Sequence, residues 1–233
     1  MLKRFYKIVD VAERDGAFAV LLDGKPIKTP ARQPLELPTQ VLADAIVQEW
    51  KEQGVRIAHE TMPLTRLAYG AIDGASQRAR LVEESLKYAR SDLLCYRAEM
   101  PPELIARQAR DWNSLLEWAR VELHARLNTT RGIGHIEQPA ESLAALEARL
   151  NSLDDYALVA TQAAIAILGS AVLGLALAFG RLTPADAFAL SRLDEEFQAE
   201  KWGRDAEADE RADLLLTDLE AAGRFIRLAS APG

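Results

Sequence analysis

The residues of this 233-residue chain that could do chemistry are mainly carboxylates, concentrated near its C-terminal end. The stretch combines acidic side chains with two aromatic residues and a glycine: Asp194, Glu195, Glu196, Phe197, Glu200, Trp202, Gly203, Asp205, Glu207, Asp209 and Glu210. Carboxylates in this number could support metal-dependent hydrolysis, but the usual histidine ligands are missing. Two further interpretations stay open, a solvated helix face and a docking surface with aromatic anchors among charges.

Other candidates for chemistry are weak. The three histidines, His59, His124 and His135, stand far apart without an acidic or cysteine partner at metal-ligand spacing, so each is predicted to be structural or exposed. Cys95 has no base beside it, which favours burial as a small hydrophobic residue over a role as nucleophile. The sequence has no Gly-x-Ser-x-Gly, phosphate loop or Gly-x-Gly-x-x-Gly motif. We therefore predict no catalytic residue, no metal site and no cofactor.

Amino-acid composition and net charge limit the kinds of protein and partner that fit this sequence. With 49% hydrophobic and 27% charged residues, the chain is typical of a soluble globular protein of one large or two small domains. Its formal net charge of -7 argues against nucleic acid or an anionic membrane as partner, since both need a basic surface. The single cysteine excludes an internal disulfide and suits a reducing compartment. No signal or transit pattern precedes the first strand-like residues, so we expect a cytoplasmic protein.

The predicted secondary structure differs between the two halves of the sequence. Asp15-Gly16 and Asp23-Gly24 are hairpin signals within β-branched and aromatic sequence, which predicts a β-rich N-terminal domain over 1–100. Thr39 can cap a helix whose inner stripe ends at Trp50, and we expect that tryptophan to be structural. From Pro101 onward nearly all of the sequence has helical periodicity. The predicted fold class is α+β, with an all-helical domain over 101–233.

A central apolar run, residues 156–179, organises the predicted helical domain because it contains no charge. Its many alanines favour a buried helix within a soluble domain over a membrane span, which is the alternative for an apolar run of this length. Thr183-Pro184 then starts a helix that continues to Gly203. In the last helix Ala212, Leu215, Leu219, Ala222 and Ile226 are expected to face inward.

Several short motifs, taken together and in this order, resemble the assembly chaperones of the ATP synthase alpha subunit. They are LLDGKP at 21–26, LPT at 37–39 with EW at 49–50, MPLTRL at 62–67 with AID at 71–73, YARSDLLCYR at 88–97, and LDEE at 193–196 with WG at 202–203. Each is weak alone, but the set covers nearly the whole chain.

The resemblance implies a β-rich N-terminal domain joined to a helical C-terminal domain, and a function without catalysis. Members of this family bind the unassembled alpha subunit of the F(1) catalytic head until a beta subunit replaces them. By match to the motif, the resemblance implies that Glu195, Glu196, Trp202 and Gly203 bind the partner, in a protein expected to be monomeric. An enzyme using the acidic cluster and a membrane-associated protein using residues 156–179 are the alternatives.

Overall fold

The computed structural model describes residues 3–231 and begins with a small antiparallel sheet. Its strands are β1 (Val9–Arg14), β2 (Ala17–Leu22), β3 (Lys25–Pro26) and β4 (Glu36–Leu37). Strand β2 pairs with each of the other three. The two Asp-Gly pairs lie at the turns, and all four of their residues have positive φ, between 47° at Asp23 and 79° at Gly16. Because turns of this kind match the twist of paired strands, the two predicted hairpins are confirmed.

The rest of the described chain is mostly helical. In chain order the helices are α1 (Gln40–Lys51), α2 (Pro63–Gly74), α3 (Arg78–Arg90), α4 (Pro102–Glu122), α5 (Ala140–Ser152), α6 (Asp155–Leu168), α7 (Ala171–Ala178), α8 (Pro184–Ser191), α9 (Leu193–Trp202) and α10 (Ala206–Ala229). A two-stranded parallel ladder joins β5 (Tyr96–Arg97) to β6 (Thr130–Arg131). A small N-terminal sheet followed by a largely helical chain confirms the predicted α+β class.

Contacts between Cα atoms divide the chain into two compact units that are not contiguous in sequence. The first contains the chain up to Arg78, Asp154–Ala160, and the chain from Ala221 onward. The second contains Ala79–Leu153 and Thr161–Glu220. The division into a β-rich domain over 1–100 and a helical domain over 101–233 stays a prediction.

In the first unit, helix α1 buries one face and also caps the next helix. Thr39 is the N-cap residue of α1, accepting a hydrogen bond from the Leu42 amide at 3.2 Å. The buried Glu49 carboxylate accepts from the Leu64 amide at 2.7 Å and from the Thr65 amide at 2.8 Å. Burial raises the pKa of Glu49, and these hydrogen bonds oppose that rise. Glu49 therefore satisfies first-turn amides of α2, whose own N-cap residue offers no side-chain bond.

The central apolar run is helical, but the structure divides it into α6 and α7 instead of one helix over residues 156–179. Gly169 lies between them with φ of 65°, a left-handed conformation that glycine adopts without a steric cost. Ser170 then caps α7 by accepting from the Leu173 amide at 3.0 Å. Every residue from 171 to 177 is buried, so α7 has neighbours on every side, as a helix that is apolar all round requires. No helix within the described residues is long and apolar enough to cross a membrane.

A fully buried carboxylate holds the break between α6 and α7. Asp92 accepts hydrogen bonds from the Ser170 hydroxyl at 2.7 Å, the Val172 amide at 3.1 Å and the Leu94 amide at 3.0 Å. Burial raises the pKa of Asp92 to about 6, against the opposing effect of those hydrogen bonds. Because the folded-state pKa lies above the unfolded value of about 3.9, the carboxyl group contributes most to stability below the unfolded pKa. That contribution is lost as the pH rises towards the folded pKa.

We therefore expect the free energy of unfolding of the parent to fall relative to that of Asp92→Asn as the pH rises to about 6. Urea denaturation at a series of pH values measures this difference, because other titrating groups cancel between the two proteins. Glu83→Gln is the control. The Glu83 side chain is exposed, and its hydrogen bond to Arg90 lowers its pKa. The free energy of unfolding of the parent should therefore rise relative to that of Glu83→Gln as the pH rises, and by a smaller amount. A pH-independent difference for Asp92→Asn would contradict the prediction.

Candidate partner-binding surface

The acidic segment that stands out in the sequence forms helix α9 and the turn that follows it. Asp194, Glu195 and Glu196 occupy the first turn, where negative charge complements the helix dipole. Leu193 and Phe197 are buried, so spacing of four residues places both on the inner side. The single helix predicted from Pro184 to Gly203 is in fact two, α8 and α9, divided at Arg192.

Trp202 is the most unusual side chain in this segment, because 80% of its surface is exposed. It is the last residue of α9, and Gly203 follows with φ of 96° and ψ of 162°, a conformation closed to other residues without strain. Large aromatic side chains usually bury most of their surface, and exposed ones are enriched at protein interfaces. The helix end therefore presents an aromatic side chain to solvent beside a backbone position that requires glycine.

The two predicted carboxylates differ in their surroundings. The Glu195 side chain is 56% exposed, and its oxygen lies 3.8 Å from the Arg192 guanidinium. Glu196 is 35% exposed and pairs with Arg204 at 2.7 Å. Arg204 also reaches Asp209 at 3.2 Å, so one guanidinium links α9 to α10. Hydrogen bonding to Glu196 is the main reason that the pKa of Arg204 is raised. Glu195 is thus available to a partner, whereas Glu196 already holds the helix junction.

Helix α9 is fixed in place by polar contacts with α4. The Gln108 amide donates to the Asp194 carboxylate at 2.8 Å, and Arg107 contacts Glu200 at 2.8 Å. The Trp112 indole, fully buried in α4, donates to the carbonyl of Leu190 at the end of α8 at 3.0 Å. These contacts position the outer face of α9 on a rigid support, which reduces the entropy that binding would cost.

Helix α10 exposes more apolar surface than its sequence pattern predicts. Leu219, Ala222 and Ile226 are buried as expected, whereas Leu215 is 39% exposed and Leu214 is 65% exposed. The prediction that Leu215 faces inward is therefore wrong. A helical stripe cannot bury all of three consecutive leucines, 214–216, because consecutive residues point about 100° apart. The run of three leucines is therefore the feature of the sequence that could have predicted exposed apolar side chains on α10.

The structure also places the weaker candidates for chemistry. His59, His124 and His135 are all exposed. Cys95 is fully buried, and burial together with the nearby Asp92 charge raises the pKa of its thiol to about 12. A thiol with such a pKa holds its proton at neutral pH and is a poor nucleophile. Among residues 3–231, no group of three or more His, Cys, Asp or Glu side chains is arranged to hold a metal ion.

Comparison with known proteins identifies the family. Residues 3–120 match the model of the family described as ATP12 chaperone protein. The chain belongs to the ATP12 chaperone family. This confirms the resemblance to ATP synthase assembly chaperones stated above. The mitochondrial protein atp12 of Schizosaccharomyces pombe is 25% identical over 222 residues, which cover 89% of this chain and 76% of that protein.

Solved structures of ATP12 proteins extend the likeness to almost the whole chain. The crystal structure of Atp12 from Paracoccus denitrificans has a TM-score of 0.92 at 42% identity, covering 98% of each chain. A point mutant of Atp12p from P. denitrificans gives a TM-score of 0.93 at 41% identity, with the same coverage. The ATP12 family match stops at residue 120. Helix α9 and Gly203 lie outside that match, but within the part of the chain that the solved structures cover.

Proposed function

We propose that this chain binds the unassembled alpha subunit of the F(1) catalytic head of ATP synthase and prevents its aggregation until the beta subunit replaces it. Membership of the ATP12 family and the motif resemblance support this choice of partner. The single observation that best supports a binding role is the exposure of Trp202 at the end of α9, a helix that is held in place by its contacts with α4.

A chaperone that binds a subunit only temporarily must satisfy two physical requirements, protection and release. A subunit that will be buried in a large apolar interface tends to aggregate while that surface is bare. A protein that covers it and later leaves needs a few strong anchors and a polar rim, since a large apolar interface would not release. Trp202 supplies an aromatic anchor, and the exposed carboxylates around it supply a rim.

We assign separate roles to the four residues of the proposed site. Trp202 inserts into the alpha subunit, and Glu195 orients the complex through its exposed charge. Glu196 keeps Arg204 in place at the junction of α9 and α10. Gly203 allows the chain to turn directly after the anchor. Trp50, in the first unit, has a structural role.

The proposed function needs no catalytic residue, cofactor or metal. It also includes no nucleic acid and no stable membrane insertion. We propose that the protein acts as a monomer in the cytoplasm, because a chaperone that covers one subunit interface needs only one copy of its own surface. An enzyme built on the acidic cluster is less well supported, since Asp194 is hydrogen-bonded to Gln108 and the other acidic side chains of α9 are paired with arginines or exposed to solvent.

The test is co-expression of the alpha subunit with Glu195→Lys, with soluble alpha subunit as the readout. Glu195 is exposed and only loosely paired, but it lies in the first turn of α9, so the substitution should lower the free energy of unfolding by about 1 kcal/mol. At an interface the same charge reversal should cost about 2 kcal/mol or more, roughly thirtyfold in affinity. We therefore expect a melting temperature only slightly below that of the parent and a loss of soluble alpha subunit.

Glu13→Lys is the matched control, because Glu13 is an exposed glutamate on β1 and its reversal changes the net charge by the same amount. It should protect the alpha subunit as the parent does. Glu196→Lys, which also breaks the Arg204 pair, should lose protection with a small loss of stability. Full protection by both α9 variants would place the binding surface elsewhere.

A further inference from the structure

The short parallel ladder of the second unit brings two arginines together. Strand β5 pairs with β6 so that Tyr96 is the partner of Thr130 and Arg97 is the partner of Arg131. The Arg131 side chain is exposed, whereas that of Arg97 is half-buried. In a chain with a net charge of -7, the pairing places two cationic residues at the same level of the ladder.

Arg97 leaves part of its hydrogen-bonding capacity unused. Its guanidinium lies 5.1 Å from the centre of the Trp112 ring, and Nη1 donates to the Gln108 carbonyl at 2.9 Å. The remaining nitrogens, Nε and Nη2, are buried and have no hydrogen-bond partner among the described residues. A buried polar group left without a partner destabilises the folded state, and more so when it is charged.

Nearby carboxylates do not neutralise this pair. Asp194 is close enough to influence Arg97 electrostatically, but its carboxylate accepts from the Gln108 amide. The Glu99 carboxylate lies beside Gly132, the residue after Arg131. Within residues 3–231, neither Arg97 nor Arg131 forms an ion pair with a carboxylate at 4 Å or less.

Both arginines line one cavity of about 290 Å³. The other lining residues are Ile105, Ala109, Asn113, Thr129 and Thr130. Arginine, asparagine and threonine side chains can all donate hydrogen bonds, and no carboxylate is among the lining residues. A cavity of this volume is at the small end for ligand sites. It suits a small anion better than a nucleotide.

We propose that Arg97 and Arg131 form a binding site for a small oxyanion, either phosphate or a carboxylate. Guanidinium groups bind both anions through two parallel N–H donors, and Nε and Nη2 of Arg97 are such a pair. A bound oxyanion supplies negative charge to two guanidinium groups that form no ion pair within residues 3–231, and reorientation of the Arg97 side chain brings its unpartnered nitrogens to the anion. Asn113, Thr129 and Thr130 supply further donors at the wall of the cavity.

The experiment titrates the purified full chain with sodium phosphate and, separately, with sodium acetate, using sodium chloride at equal ionic strength as reference. Binding is measured by NMR from the Nε–H resonance of Arg97 and by the thermal melting temperature. We expect a saturable shift and a raised melting temperature with at least one of the two anions. Phosphate alone would identify a tetrahedral oxyanion site, and acetate binding would identify a carboxylate site such as an acidic side chain could fill.

Arg131→Gln is the informative variant, because Arg131 is exposed and its loss should leave the fold intact. It should weaken anion binding about tenfold or more, the effect of losing a charged hydrogen-bond donor. In chloride its melting temperature should stay close to that of the parent, because the Arg131 side chain is exposed. Arg80→Gln is the control for net charge, because Arg80 is exposed and pairs with Glu84, and it should bind as the parent does.

Three outcomes would overturn the assignment. One is the absence of a saturable Arg97 response to either anion beyond the effect of chloride. Another is equal anion affinity in the parent and Arg131→Gln, which would make the response a general ionic effect. The third is a lower melting temperature of Arg131→Gln in chloride with unchanged anion binding, which would make Arg131 a structural residue.

Discussion

Trp50→Ala should lower the free energy of unfolding by about 3 to 5 kcal/mol, the usual cost of truncating a large buried aromatic side chain. Only 4% of the Trp50 surface is exposed. Its ring packs edge-on against Tyr6, with centroids 5.6 Å apart, and against His59 at 6.4 Å. Truncation would leave a cavity between α1 and the N-terminal segment, which the fixed backbone can close only in part.

Two related variants separate packing from hydrogen bonding at Trp50. The indole Nε1 has no hydrogen-bond partner among the described residues, so Trp50→Phe loses volume but no bond and should cost less than Trp50→Ala. Trp50→Arg should cost more than either, because it places a charge where the surroundings are apolar. Chemical denaturation of all three measures the order. A Trp50→Ala protein as stable as the parent would contradict the structural role.

Trp202→Ala should have the opposite profile, a large loss of partner binding with little loss of stability. Because 80% of the side chain is exposed, its truncation should change the free energy of unfolding by less than about 0.5 kcal/mol. An aromatic anchor at the centre of an interface typically contributes about 2 to 4 kcal/mol. We therefore expect the alpha subunit to bind Trp202→Ala at least about thirtyfold more weakly.

The measurement is a titration of freshly refolded alpha subunit with Trp202→Ala, beside a thermal melt of the isolated variant. Val55→Ala controls for the loss of exposed apolar surface, because Val55 is 77% exposed and lies in the first unit. Leu214→Ala tests whether the exposed leucines of α10 belong to the same surface. Parent-like affinity of Trp202→Ala, with normal melting, would remove the observation on which the proposed site depends.

Elements governed by neighbouring residues could be predicted from the sequence. Asp-Gly pairs adopt positive φ at a hairpin wherever they occur, so both turns of the sheet were predictable. Thr39 and Thr183 cap helices through their own hydroxyl groups, within three residues of the amides they bind. Pro63 and Pro184 each start a helix because their fixed φ suits its first position.

The motif resemblance also anticipated the family, but not how its residues are used. Glu49 and Trp50 are neighbours in sequence, yet one caps α2 with its carboxylate and the other packs on Tyr6. Glu195 and Glu196 are likewise adjacent, and only Glu196 pairs with Arg204. Adjacent side chains on a helix point in different directions, so their partners depend on what the fold brings to each face.

Features that depend on residues far apart in sequence were decided only by the tertiary structure. The break between α6 and α7 depends on Asp92, which meets Ser170 across 78 positions of the chain. The facing of Arg97 and Arg131 depends on a pairing between two strands of two residues each, too short to leave a sequence pattern. Leu215 fits a buried stripe by periodicity, but the neighbouring elements leave 39% of it exposed. Periodicity shows which residues of a helix share a face, whereas burial of that face requires a packing partner.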